Sequence, residues 1–163
     1  MVVDGFKSTA VFSNCFNFRY SITRVWDHSG SKLLYILLNP SIATEAISDP
    51  TITRCQARAL LLGYKQFRVC NLFAFRSTNP SCLKVTSDVI GPQNDETLKA
   101  SIAWADSVIC SWGRLGTIGE RNLKVKNYLE KSGKPVFHFG LTKNCQPKHL
   151  LYISFDVLPK KWF

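Results

Sequence analysis

The sequence predicts an α/β fold: a three-layer α/β/α arrangement around a mainly parallel four-stranded core sheet, with an antiparallel strand pair on its N-terminal side. Three observations carry this. Four short apolar runs lack the alternation of a half-exposed strand, as strands buried on both faces do. Segments with apolar residues at helical spacing separate them. Each apolar run then gives way to a polar segment. The resulting order, β-α-β-α-β-α-β, favours right-handed crossovers with helices on both faces.

The elements follow in order. Residues around 11–13 and 18–26 read as the antiparallel pair; the second is rich in aromatic and β-branched residues. Asp27, His28, Ser29 and Gly30 make a turn. The first core strand, 32–38, stops at Asn39-Pro40-Ser41. Asp49 and Pro50 are an N-cap and a first helical residue. The helix they open turns Ile52, Cys55, Ala59 and Leu62 to one face and leaves Arg54 and Arg58 off it, with Gly63 as its C-terminal cap. The second core strand is 67–73. A helix from Asn94-Asp95 carries Leu98, Ile102 and Ala105 inward. The third strand, 107–112, is stopped by Gly113. Thr117 and Glu120 have capping-box spacing before a helix containing Leu123, Tyr128 and Leu129, closed by Gly133 and Pro135. The fourth strand is 135–139.

Bulk properties narrow the function classes. A chain of 163 residues with 45% hydrophobic content suits a single domain over 1–163 with its own core. No apolar run approaches the roughly 20 residues of a membrane span. The N-terminal residues lack a basic segment followed by an apolar one, so neither a signal peptide nor a membrane association is expected, and the cytoplasm is the expected location. The six cysteines include no Cys-x-x-Cys pair, so neither a metal nor another cofactor is expected. Cys70 and Cys110 read as small core residues. A monomer is the default assembly. The net charge of +10 suits a polyanion, and nucleic acid is the commonest inside a cell.

In open α/β sheets ligands bind beyond the carboxyl ends of the strands. Those ends here carry Asn39, Asn71, Arg76, Trp112, Arg114, Lys148 and His149. They supply amides, one imidazole and cations, but no Walker-type loop, no Ser-His-Asp set and no acid pair. Asp49, Asp95 and Asp106 read as helix caps or termini. An asparagine can hold a water but cannot deprotonate it. That suits a reaction with a very reactive electrophile, such as N-glycosidic cleavage through an oxocarbenium-like state. A histidine donor would then stabilise the departing base, and a second amide could read a base edge. Each residue has a plainer reading. On that reading Asn39 ends a strand, Asn71 is structural glue, Phe73 and Phe75 are core, and Trp112 packs under the sheet edge. Arg76, Arg114 and Lys148 read either as ordinary surface charges or as phosphate contacts. His138 reads as core and His28 as solvated.

The order of segments resembles the uracil-DNA glycosylase superfamily. The corresponding positions are Leu38-Asn39-Pro40-Ser41, Asn71, Trp112-Gly113, and the segment from Pro147 through His149 to Tyr152. A fuller match is to an uncharacterised bacterial and phage family. Its pattern is met here by Arg19-Tyr20, Leu38-Asn39-Pro40-Ser41, Asp49-Pro50-Thr51, Asn71 through Arg76, Gly91-Pro92-Gln93-Asn94-Asp95, Trp112-Gly113 and His149-Leu150-Leu151-Tyr152. The resemblance implies a uracil-DNA-glycosylase-like fold and a monofunctional DNA base glycosylase, a hydrolase acting on a damaged or modified base with DNA, single-stranded or modified, as partner. It implies that Asn39 positions the attacking water and His149 stabilises the leaving group. Leu38, Pro40, Ser41, Asn71 and Phe73 would hold the base, and Arg76, Arg114 and Lys148 the nucleic acid. Ser41 stands where some members screen bulky bases, which implies a roomier pocket. Leu150 stands where proline is usual. The alternatives are a non-catalytic nucleic-acid-binding module on the same fold and a hydrolase of free nucleosides or nucleotides.

Overall fold

A computed structural model describes residues 1–3 and 5–163. The strands are β1 (Val2–Val3), β2 (Phe6–Phe12), β3 (Arg19–Val25), β4 (Lys32–Leu37), β5 (Gln66–Asn71), β6 (Ser107–Cys110), β7 (Val136–His138) and β8 (Lys160–Lys161). The helices are α1 (Pro50–Leu61), α2 (Asn94–Trp104) and α3 (Arg121–Ser132). The chain is an α/β protein with one mixed sheet in the order β1-β2-β3-β5-β4-β6-β7-β8. Parallel pairings join β5 to β4, β4 to β6 and β6 to β7, and antiparallel pairings flank them on both sides.

Side-chain alternation on these strands divides the core in two. Leu34 and Ile36 of β4, Cys70 of β5 and Val108 and Cys110 of β6 meet Leu98 and Ile102 of α2 and Val125 and Leu129 of α3. Leu33, Tyr35 and Leu37 of β4 and Phe67 and Val69 of β5 face Ile52, Cys55 and Ala59 of α1. The central strands are therefore apolar on both faces because helices cover both.

Local signals place several boundaries. The Asp49 side chain accepts from the Ile52 amide at 2.8 Å, capping α1, with Pro50 behind it. Such a cap is worth about 1 kcal/mol. Gly133 caps α3 with a left-handed φ of +67°.

Two expectations are corrected. Arg58 is buried, not off the core face. Its guanidinium lies 4.2 Å from the Phe139 ring centre and donates to the carbonyls of Ile153 and Ser154, each at 2.7 Å. The C-terminal segment folds back over α1, and the long Arg58 stem reaches its free carbonyls. The capping box does not form. Residues Arg114–Glu120 make a 3-10 segment, Glu120 takes a left-handed conformation without a capping bond, and Thr117 donates instead to the Arg114 carbonyl. Leu123 lies in α3 as expected and faces solvent, since α2 and the sheet touch the opposite side of that helix. No helix among the described residues is long and apolar enough to cross a membrane.

Candidate functional site

The carboxyl edge of the parallel strands encloses a cavity of about 510 Å³. That lies within the usual range for small-molecule sites. Four segments build its wall. After β4 come Leu38, Asn39 and Ser41; at the start of α1, Asp49, Pro50 and Thr51; after β5, Ser77, Thr78 and Pro80; after β6, Trp112, Gly113 and Arg114. His149, Leu151 and Tyr152 close it from the C-terminal side.

Asn39 is held in one orientation. Its Nδ2 donates to the Ser77 carbonyl at 2.9 Å and the Pro40 carbonyl at 3.3 Å. With the donor committed, Oδ1 is the end left to act, and it can only accept. The loop after β5 is itself tied down, because the Ser77 amide donates to the Pro40 carbonyl at 2.9 Å.

His149 is fixed with the opposite polarity. Its Nδ1 accepts from the Leu151 amide at 3.3 Å. An Nδ1 acceptor in the neutral ring puts the proton on Nε2, which becomes a donor. Burial lowers the His149 pKa, and the nearby Asp49 charge only partly opposes this. The ring is therefore neutral at pH 7. The segment before it is anchored to the end of β6. The Gly113 amide donates to the Pro147 carbonyl at 2.7 Å, and Ser111 Oγ to the Lys148 carbonyl at 2.6 Å. Gly113 has a φ of +72°, which a residue with a side chain adopts only under strain.

Asp49 is a site residue that pattern reading leaves as a cap. Its Oδ1 caps α1, while the residue lines the same cavity as Asn39 and His149. The sequence signal was the Asp-Pro helix start itself. A cap at a helix opening onto a strand edge brings its spare oxygen there, but only the fold shows that α1 begins at this edge. Trp112 is 1% exposed and forms the cavity floor, with its Nε1 donating to Gln146 Oε1 at 3.0 Å.

The other expected residues divide. Leu38, Asn39, Ser41, Arg114 and His149 line this cavity. Pro40 is buried beneath it and contributes its carbonyl to Asn39. Asn71 and Phe73, expected to hold a base, do not line it. The register pairs Asn71 with Leu37, two residues short of Asn39, so Asn71 sits below the strand edge, buried, with no hydrogen-bond partner for Oδ1 among the described residues. Phe73 is packed in the core beside Leu38 and Leu83 and has no free face for stacking. Arg76 lines a neighbouring cavity, and Lys148 is exposed, its stem lying against Gly140.

The arrangement provides a hydrogen-bond acceptor that cannot switch, a carboxylate, a neutral imidazole donor, and one exposed cation at the rim, Arg114. Such a set can orient a water, take up a proton and stabilise a developing anion. Among the described residues no group of three or more His, Cys, Asp or Glu side chains is placed to hold a metal ion.

The family model described as Protein of unknown function (DUF1643) matches residues 19–151. No curated protein and no solved structure matches the chain.

Proposed function

The chain belongs to that family, and we propose that it hydrolyses the N-glycosidic bond of a damaged or modified base in DNA, on a uracil-DNA-glycosylase-like core. One observation carries the reading: Asn39 and His149 line the same cavity with opposite, locked polarity. An acceptor that cannot flip suits holding a water. A neutral Nε2–H suits a base that leaves as an anion, because a donor aimed at developing negative charge acts mainly in the transition state. Asp49 adds a carboxylate able to take the proton that the water loses as the C–O bond forms. The cavity volume accepts a base with its sugar, and Ser41 rather than a bulky residue lines it.

The experiment is alkali-sensitive strand cleavage of a panel of modified-base oligonucleotides after incubation with the protein. Base release is expected for at least one substrate. It should fall about 10²–10³-fold in Asn39→Ala and in His149→Ala, the cost typical of losing one transition-state hydrogen bond. Asp49→Asn keeps the capping oxygen, so it should fold normally and lose activity. No release across damaged and phage-type bases would refute the reading. Release from free nucleosides alone would move the substrate class.

A further inference from the structure

We propose that the cavity beside the main site is a subsite for the neighbouring nucleotide of a single-stranded polynucleotide, with Phe16 as its stacking platform and Arg76 as its phosphate contact. This rests on the reading of the main site as one that takes a base. A second cavity, of about 360 Å³, adjoins the first and shares Ser41, Ser77 and Thr78 with it as a common wall. Its other walls include Phe16, Ile42 and Arg76.

Phe16 sits in the β2–β3 loop, 61% exposed, with its ring tilted against that of Phe12 at 5.5 Å between centres. Its φ is +59°. A bulky residue in the left-handed region is strained, and such strain persists only where surrounding structure enforces it. Here the enforcement is visible. The Phe16 amide donates to the Ser13 carbonyl at 3.0 Å, and Arg76 Nη1 donates to the Phe16 carbonyl at 3.0 Å. The Arg76 amide also donates to the Asn17 carbonyl at 2.9 Å. An exposed aromatic ring is thus held at the rim of a cavity, at a cost, where it buries little of its own surface. Ile42, 58% exposed, supplies a second apolar wall.

Arg76 gives the subsite its charge. Its guanidinium lies 4.9 Å from the Phe12 ring centre, and Nη1 is committed to the loop. Nη2 makes no hydrogen bond to the described residues and is free for a phosphate oxygen. An aromatic face beside a cation is the recurring element of sequence-tolerant single-strand binding. Two adjoining cavities with a shared wall hold two successive bases apart from each other. A stacked duplex neighbour does not present itself that way, so the geometry selects a single-stranded or locally opened substrate.

The test is binding, which needs no base release. Fluorescein-labelled (dT)12 and (U)12 are titrated by anisotropy against the wild-type protein, Phe16→Gly, Phe16→Trp and Arg76→Gln. Glycine removes the ring and accepts the positive φ, so Phe16→Gly should melt no lower than wild type while losing about tenfold in affinity, as the loss of one base–aromatic stack predicts. Phe16→Trp should bind at least as tightly as wild type. Arg76→Gln should weaken binding and flatten its salt dependence by about one phosphate contact. The relative affinity for the two probes tells DNA from RNA. The proposal is overturned if the wild type binds neither probe, or if Phe16→Gly binds as the wild type does. Failure of base release with Phe16-dependent binding intact would remove the catalytic reading alone. Base release with a KM indifferent to Phe16 would remove this subsite alone.

Discussion

Asn39 and Asn71 close adjacent parallel strands, and the two side chains have opposite fates. Asn39 is partly exposed and lines the cavity, with its amide donor held by two carbonyls and its oxygen left to accept. Asn71 is 2% exposed, and its side-chain oxygen finds no partner among the described residues. The residue types and flanking apolar runs are alike. What differs is register: Leu37 pairs with Asn71, so Asn39 stands one pleat repeat further toward the edge. Two residues of depth separate a group that can reach a ligand from one that is packed beneath it.

The sharpest way to break the comparison is to substitute both positions. Asn39→Ala should remove about 10²–10³-fold of base release while leaving the fold intact. Asn71→Leu should keep activity within a few-fold and raise stability by about 1 kcal/mol, because it deletes a buried acceptor with no partner. The measurements are single-turnover base release and thermal melting. Equal losses of activity at both positions would mean that the cavity opens downward to Asn71 on binding.

A smaller effect concerns pH and the two histidines whose pKa desolvation lowers. Burial lowers the pKa of both His149 and His138, with Lys160 adding to the effect at His138. The folded protein therefore binds fewer protons than the unfolded chain below the ordinary histidine value of 6.5. The stability these rings contribute is present above that value and is lost as pH falls toward the folded pKa. Activity should show an acid limb in the same range, because protonating Nδ1 removes its bond from Leu151. A pH–rate profile of His138→Gln should keep that limb, and one of His149→Gln should lose it.

The least effect belongs to the rim. Arg114 lines the cavity and Lys148 does not. Arg114→Gln should lower the slope of log affinity against log salt by about 0.7 for a single-stranded ligand, one phosphate contact, whereas Lys148→Gln should leave it unchanged. Equal slopes for the two variants would erase the distinction between a cation at the site and one on the general surface.

Much of this was legible in the sequence because its causes are local. Unalternating apolar runs mark strands covered on both sides, the Asp49-Pro50 start encodes its own cap, and each core strand ends one or two residues before the end expected from its apolar run. Asn39, Ser41, Arg114 and His149 could be placed at one edge on that basis alone. The capping box at Thr117 and Glu120 misled because spacing does not guarantee that the intervening backbone is helical, and Gly119 lets it turn left-handed.

What the tertiary structure decided depends on contacts distant in the chain. Register set the depth of Asn71 and put Phe73 in the core. The C-terminal segment, nearly a hundred residues away, buried Arg58. The course of α1 brought the Asp49 carboxylate into the cavity, and the β2–β3 loop set Phe16 beside it. Periodicity and caps are written within a few residues and can be read there, whereas the relative height of two strands and the closure of a loop over a distant edge are fixed only by packing the whole sheet.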